Sequence, residues 1–437
     1  MDCDILIIGA GLAGSSAAYH LSNIPNKNIK INVIDSGNIG IGNKDGIKIP
    51  KYAVLSTKCN KSDLESVKNG LFTYARTSGT AVFEHPVSCI KMMVNVYTCS
   101  SEEFITHHGI DGAKNYLKLS YQGLELQKKL AKMLFNDIDL NNKLCEKGSL
   151  YLATKEHVKD LEEEYKLLSK LGAKDIELWD RVQTKKVVGS GFYRGIFFPH
   201  DAIIDSVAYS KILLEASIKN GDVSVYENCS PVVKVNTVNN LAYTTLKNGI
   251  IIKSKYTIIA TGGLFTECGL AGILKPCWSY LLSVSPPNNQ DKTNSPNFIT
   301  WESKQDWCIT KGYLRLSGKD HFSAFKPPRI KERRDYLLNW AIKKYPHLEN
   351  SKKNIDFRYG VYSETPDHTP LVGIPHPKSK ICYLLGCNAV GQATLSYSAS
   401  LIPSLLGYSK LNEEQKEMMK ILDIKRFAFL PAVLNNL

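Results

Sequence analysis

Three glycines and one carboxylate at fixed spacing are the residues of this chain best suited to chemistry. Gly9, Gly11 and Gly14 follow the apolar run Asp4-Ile-Leu-Ile-Ile8 and open the segment Ser15 to Leu21. Asp35 ends a second apolar run, Ile31 to Ile34, 21 residues after the last of these glycines. Strand, tight turn, helix and second strand in this order make a dinucleotide-binding unit. Gly9 permits the turn, Gly11 lets the backbone approach a pyrophosphate, and Gly14 lets the helix lie close against the strand. The amides of Ala10, Leu12 and Ala13 then sit at a helix N-terminus, where phosphate charge is attracted. Asp35, followed by Ser36, is placed to accept hydrogen bonds from an adenosine ribose.

A second set of residues lies far along the chain. Tyr256-Thr-Ile-Ile-Ala260-Thr261-Gly262-Gly263 runs from an apolar strand into a glycine turn. Ile381 to Leu385 leads into Gly386-Cys-Asn388-Ala-Val-Gly391-Gln392 and a helix through Ala399, so the amides of Gly391 and Gln392 would stabilise negative charge. Arg315, in Gly312-Tyr-Leu-Arg-Leu-Ser-Gly318, is a fixed cation, and Arg76, Arg194 and Arg358 are further candidates for an anion clamp. His85, His107, His108, His200 and His368 are candidate bases.

The GxGxxG start, a small meander ending in Ala260-Thr261-Gly262, and the late strand, glycine and helix block resemble the flavin amine oxidases of the D-amino-acid oxidase, glycine oxidase and sarcosine oxidase superfamily. The likeness keeps this order over nearly the whole chain. It implies FAD rather than NAD, held by Gly9 to Gly14, Asp35, Ser36, the backbone of Val232 at the adenine, and Ala260, Thr261 and Gly262. Gly386, Asn388, Gly391 and Gln392 would face the flavin pyrimidine edge. Tyr359-Gly-Val-Tyr-Ser-Glu-Thr-Pro-Asp367 through Gly373 looks like the family's run beside the isoalloxazine. Ser78-Gly-Thr-Ala81 resembles the flavin-contacting Ser-Gly segment, which would bring His85 near the ring. The implied reaction removes a hydride from the carbon next to an amine nitrogen of an amino acid or amine, giving an imine, with oxygen reoxidising the flavin.

Departures from the family pattern bear on the substrate. Tyr362 stands where glycine oxidase and its relatives place an arginine for the substrate carboxylate; sarcosine oxidases carry a tyrosine there. Gly360 stands where sarcosine oxidases have a flavin-bonding cysteine, so non-covalent FAD is expected, and Gly391-Gln-Ala393 replaces their helix lysine. Arg315 matches the lysine that promotes oxygen reduction; a guanidinium there stays charged but cannot relay a proton.

Behind these residues the expected architecture is α/β, a Rossmann-like FAD-binding domain with a second, α+β substrate domain built on an antiparallel sheet. Residues 1–80, 200–275 and 355–437 are assigned to the discontinuous FAD part, and 81–199 with 276–354 to the substrate part. Helical spacing from Ser101 to Lys132 gives one or two amphipathic helices. Gly148 to Ala153 and Gly195 to Phe198 read as strands, and Asp205 caps a helix over Val207 to Ala216. Val223 to Val225, Val232 to Val235, Ala242 to Leu246 and Ile250 to Ile252 read as the antiparallel meander. The substrate sheet would use strands near 148 to 153, 195 to 198, 278 to 285 and 308 to 318. The polar stretch Asn43 to Arg76 reads as an insertion, a candidate lid or partner surface.

With 43% hydrophobic and 22% charged residues in 437, the chain can bury a core, and no run approaches the roughly 18 apolar residues of a membrane span. A first strand at residue 4 leaves no room for a targeting segment, so a cytoplasmic enzyme is expected. Eleven cysteines without a CxxC pair indicate neither a disulfide framework nor a zinc site. The net charge of +13 comes from dispersed lysines such as Lys128-Lys129 and Lys343-Lys344, so a nucleic-acid partner is not expected. The expected partners are a small amine or amino acid, anionic or not, and oxygen or an electron carrier. Two alternatives stand beside this reading. One is an FAD dehydrogenase of a 2-hydroxy acid or polyol phosphate serving a quinone or carrier, and the other is a non-catalytic binding protein on an FAD-type fold.

Overall fold

A computed structural model describes residues 2–25, 28–36, 90–93, 99–263, 270, 273–284, 294–301, 305–310, 313–323, 329–351 and 355–427. Arg76, His85 and the Asn43 to Arg76 stretch lie outside them. The chain begins β1 (Asp2–Ile8), α1 (Leu12–Ser22), β2 (Ile31–Ile34), β3 (Ile90–Met93), α2 (Ser101–Leu134) and α3 (Asp137–Lys143). It continues β4 (Leu144–Cys145), β5 (Ser149–Ala153), α4 (Val158–Leu171), β6 (Glu177–Trp179), α5 (Arg181–Val188), β7 (Arg194–Phe198), β8 (Ala202–Asp205) and α6 (Ser206–Asn220). Next come β9 (Val223–Tyr226), β10 (Val232–Val238), β11 (Leu241–Leu246), β12 (Ile251–Ile259), β13 (Lys275–Val284), β14 (Asn297–Thr300), β15 (Asp306–Thr310) and β16 (Tyr313–Phe322). The last elements are α7 (Ile330–Lys344), β17 (Ile355–Glu364), β18 (Leu371–Gly373), β19 (Ile381–Leu385), α8 (Gly391–Leu405) and α9 (Glu413–Leu422).

Two large sheets organise these elements. The first runs β10-β11-β12-β1-β2-β9, with β19 parallel to the C-terminal half of β12 and β18 antiparallel to β19. Ile5 to Ile8 of β1 are buried on both faces, as a central parallel strand requires. α1 packs on one face beside α6 and α8. The second sheet runs β17-β13-β16-β15-β14-β5-β7-β6, mostly antiparallel, and buries Trp278, Tyr280, Trp307 and Leu316 against α7. β3, β8 and β4 form a small third sheet. Among the described residues no helix is long and apolar enough to cross a membrane.

Several expected elements are placed differently. Val223 to Val225 does not join the meander: β9 lies parallel to β2 at the far edge of the first sheet. It follows a helix, α6, and such a crossover favours parallel pairing, which a three-residue apolar run does not show in sequence. Ile250 to Ile252 and Tyr256 to Ile259 are one strand, β12, whose first half pairs with β11 and whose second half pairs with β19. The 308 to 318 run is two strands, β15 and β16. β17, from the stretch grouped with the FAD part, pairs with β13 over its whole length, Lys275–Val284 against Ile355–Glu364, and so belongs to the second sheet.

Helix α2 starts on Ser100, whose side chain accepts the Glu103 amide, and breaks its helical backbone at Gly109. The Glu164 carboxylate of α4 reaches the same N-terminus, accepting the Ser101 amide at 3.0 Å and its hydroxyl at 2.6 Å. Asp205 caps α6 through the Ala208 amide, as the sequence indicates. Within α1, burial pushes His20 down to about 4 from 6.5. The folded chain therefore favours the neutral ring; that stability is complete above about pH 6.5 and is lost as pH falls toward 4. His20→Leu is expected to flatten the urea-midpoint profile between these pH values, and an unchanged slope would refute the assignment.

Candidate active site

The C-terminal ends of β1, β12 and β19 come together, and each is followed by a turn that the sequence marks with glycine. Gly9 takes φ +101°, and a Cβ there would sit 2.4 Å from the Ala260 carbonyl oxygen, so the first turn and Ala260-Thr261-Gly262 meet backbone to backbone. Gly14 is tighter still: a Cβ would fall 1.8 Å from the Gly9 carbonyl oxygen. Asp35, at the end of β2, accepts the Ala10 amide on Oδ2 at 2.8 Å and is 5% exposed, which fixes the carboxylate beside the turn. Ser36 follows it in a bend.

Two helices present uncapped N-termini to a common cavity of about 960 Å³. Gly11, Leu12 and Ala13 open α1 on one side, and Val390, Gly391 and Gln392 open α8 on the other. Neither end has a side-chain cap or an acidic first turn, so both offer orphan amides and the positive end of a helix dipole. Gln392 Nε2, Thr261 Oγ1 and Arg315 Nε are buried with no hydrogen-bond partner among the described residues. The carbonyl oxygens and ring nitrogens of an isoalloxazine supply acceptors for such donors, so the cavity-lining Gln392 and Arg315 fit FAD.

The α8 turn is held from behind. Asn388 and Ala389 take left-handed φ of 47° and 59°, a conformation that costs energy in non-glycine residues. Asn388 is 1% exposed; its Oδ1 accepts the Thr365 amide at 2.8 Å and its Nδ2 donates to the Gly386 carbonyl at 2.9 Å. Its side chain is thus engaged within the protein, not directed at a ligand, while its neighbours Cys387 and Ala389 line the cavity. Asp367 completes the support: Arg426 donates to it through Nε at 2.6 Å and Nη2 at 3.0 Å. Gly386 takes φ +77° at the same turn. Val232, at the start of β10, packs against the cluster of Ile34, Tyr226 and Leu246 and does not line the cavity.

The opposite wall is the face of the second sheet. Arg315 is 2% exposed and donates to Asp306 at 2.7 Å, and the Asp306 carboxylate also takes the Ser317 hydroxyl. Burial alone would lower the arginine's pKa, but Asp306 outweighs it and the guanidinium is held charged. Tyr362 points its hydroxyl at two carboxylates, Asp320 Oδ2 at 3.0 Å and Glu364 Oε1 at 3.1 Å. Burial holds its phenol well above the usual range. Along β13, Arg315 pairs with Ser283 and Tyr362 with Cys277, so about 20 Å of strand separates them at roughly 3.3 Å per residue. Both line one cavity, but they cannot touch the same reacting carbon.

The other sequence candidates scatter. Arg194 pairs with Glu162 at 2.6 Å, His200 with Asp175 at 2.7 Å, and His108 donates to the Asp367 carbonyl at 2.7 Å. His368 lines the cavity rim, 3.5 Å from Glu103; with Cys99 these bring potential ligand atoms within 4.8 Å, but Glu103 is exposed. Arg358 lies opposite Leu281 in the second sheet. Residues that sequence reasoning missed are Asp320, Glu364 and His321. Burial and the Arg333 charge lower the His321 pKa, so the ring at this wall is neutral at pH 7. Strand register brings Asp320 and His321 of β16 to Tyr362, whereas Glu364 follows it by two residues on β17 and shares its face.

Such a fold and site define a flavin-dependent dinucleotide-binding enzyme class. The family model described as DAO, FAD-dependent oxidoreductase, matches residues 4–402, and the chain belongs to that family. It is therefore an FAD-dependent oxidoreductase. Among solved structures it is similar to glycine oxidase from Geobacillus kaustophilus, with TM-score 0.70, 16% identity and coverage of 94% of this chain and 96% of that one. It is also similar to fructosyl amine:oxygen oxidoreductase from Aspergillus fumigatus, with TM-score 0.68, 14% identity and coverage of 98% and 91%. L-α-glycerophosphate oxidase from Mycoplasma pneumoniae gives TM-score 0.64, 15% identity and coverage of 95% and 98%. No curated protein matches the chain.

Proposed function

We propose that the protein oxidises an amine, removing a hydride from the carbon next to nitrogen. The observation that carries this reading is the single cavity bounded on one side by the two uncapped helix N-termini and on the other by a sheet face bearing Arg315 and Tyr362. In this reading the first sheet carries FAD and the second carries the substrate. FAD, when bound, supplies a two-electron acceptor. Gly11, Leu12 and Ala13 would hold its pyrophosphate, Asp35 its ribose, and the amides of Gly391 and Gln392 would stabilise charge at its pyrimidine edge. Arg315, kept charged by Asp306, adds a fixed positive field from the opposite wall. His321 is neutral and available as a hydrogen-bond partner, not as a cation. The substrate loses a hydride and a proton to become an imine, water converts that to a carbonyl and free amine, and dioxygen takes two electrons and two protons to become hydrogen peroxide.

The glycerophosphate oxidase neighbour and the missing arginine at Tyr362 favour a second reading, oxidation of a hydroxyl-bearing carbon. One experiment separates them: purified, FAD-loaded protein is mixed anaerobically with pools of amines, amino acids, 2-hydroxy acids and polyol phosphates while flavin absorbance is followed. Bleaching by an amine pool supports amine oxidation, and bleaching only by hydroxy compounds overturns it. Gly360 offers no thiol to the cofactor, so acid precipitation is expected to leave the flavin in the supernatant; yellow colour retained in the pellet would refute non-covalent binding.

A further inference from the structure

The rim of the cavity gathers side chains that the oxidation does not use. Cys99 stands one residue before the cap of α2, Glu103 lies in the first turn of that helix, and His368 sits in the turn between β17 and β18. All three line the cavity, and a sulfur, a carboxylate oxygen and an imidazole nitrogen lie within 4.8 Å of one another. A thiol, an imidazole and a carboxylate at one point make the donor set of a zinc-class ion, whereas magnesium and calcium take oxygen ligands.

The spacing suits such an ion. His368 Nε2 and Glu103 Oε1 are 3.5 Å apart. Two ligands of a tetrahedral zinc, each about 2.0 to 2.1 Å from the metal, stand about 3.4 Å from each other. One turn further along α2, His107 shares a helix face with Glu103. Its ring centroid is 5.8 Å from that of His368. Two imidazoles on one zinc have centroids about 5 Å apart. His107 is exposed, so rotating its ring inward displaces no packed core.

Both sides of the site are anchored by groups other than the ligand atoms. The Glu164 carboxylate holds the start of α2 through the amide and hydroxyl of Ser101. On the other side the Asp367 carboxylate is gripped by Arg426, and its carbonyl accepts from His108. Its neighbour His368 takes a left-handed φ of 59° in this braced turn. Ligands fixed by surrounding structure lose little conformational freedom when an ion binds.

We propose that Cys99, Glu103, His107 and His368 bind one zinc ion at the rim of the cavity. Coordination converts the Cys99 thiol to thiolate and releases its proton to solvent. The ion ties the first two turns of α2 to the turn after β17. Those turns join the rest of the helix through the non-helical Gly109, so the ion adds a second attachment at the cavity mouth. The site does not depend on which carbon the enzyme oxidises.

The test uses untagged, reduced, FAD-loaded protein, treated with EDTA, exchanged into fresh buffer and titrated calorimetrically with zinc chloride. Zinc is expected to bind in a one-to-one ratio with a submicromolar dissociation constant, to release a proton and to raise the thermal midpoint. Cobalt chloride in place of zinc is expected to add a thiolate-to-cobalt charge-transfer band to the difference spectrum. Cys99→Ser, Glu103→Gln, His107→Ala and His368→Asn are each expected to weaken zinc binding at least tenfold, and Cys99→Ser to abolish the band. Asparagine is chosen at 368 because it tolerates the left-handed backbone, and four separate positions keep the test open should one variant fail to fold. His347→Ala, exposed and outside the cavity, is expected to bind zinc as the wild type does. Weak uptake without a defined ratio, affinity that survives any of the four substitutions, or a cobalt spectrum without the thiolate band would overturn the site.

Discussion

Gly14→Val is expected to yield protein that purifies without FAD and unfolds well below the wild type. A Cβ at this position would lie 1.8 Å from the Gly9 carbonyl oxygen and 3.3 Å from Ile7 Cγ2. The first obstacle is backbone, which no rotamer change can move aside. α1 must therefore shift away from β1, carrying with it the amides of Gly11, Leu12 and Ala13 that open the cavity. The helix is buried along most of its length between the first sheet, α6 and α8, so a shift propagates into packed core. Overpacking costs about 1 to 3 kcal/mol and occasionally more, and an obstacle made of backbone puts this site at the upper end. Flavin content per chain and the thermal midpoint measure the two effects together; stoichiometric flavin at an unchanged midpoint would show that the helix does not lie as close as the structure places it.

The second large effect is expected at Asp367, which does not itself line the cavity. Its carboxylate is gripped by Arg426 at 2.6 and 3.0 Å, and the side chains are only 15% and 12% exposed. Burial on its own would raise the aspartate's pKa, but the hydrogen bond and charge of Arg426 outweigh it and hold the carboxyl below the usual carboxylate range. Asp367→Ala leaves the guanidinium buried without its partner, a loss of about 3 to 5 kcal/mol for a broken buried pair. Arg426 also donates to the Thr369 carbonyl, Thr365 Oγ1 donates to that same carbonyl, and the Thr365 amide donates to Asn388. Loosening the pair is thus expected to weaken FAD binding through the α8 turn as well as to lower stability. Because the folded-state pKa is depressed, the stabilisation is present above the unfolded value near 3.8 and is lost as pH falls below it. Urea midpoints of wild type and Asp367→Ala are expected to differ strongly at pH 7 and to converge toward pH 3. A constant difference across that range would remove the ion pair as its cause.

Arg315 and Tyr362 show where the sequence stopped being sufficient. Their positions in the chain mark them as candidate active-site groups by likeness to a family. Nothing in the chain reveals that Arg315 is paired with Asp306, nine residues away on the neighbouring strand, or that Tyr362 is committed to Asp320. Asn388 is a similar case: the turn was legible, but the inward direction of its side chain was not.

Gly9, Gly11, Gly14, Asp35, Ala260-Thr261-Gly262 and Gly391-Gln392 were determined by the sequence itself, because a strand, a glycine turn and a helix N-terminus are local objects whose geometry follows from neighbouring residues. Only the tertiary structure decided that β9 is parallel, that β17 lies beside β13, and that an acidic pair faces the cavity where the family pattern calls for an arginine. The strand placements, and the approach of Asp320 to Tyr362, are set by register between segments tens to hundreds of residues apart. A one-residue slip there would turn every side chain to the other face, so the information resides in packing rather than in spacing.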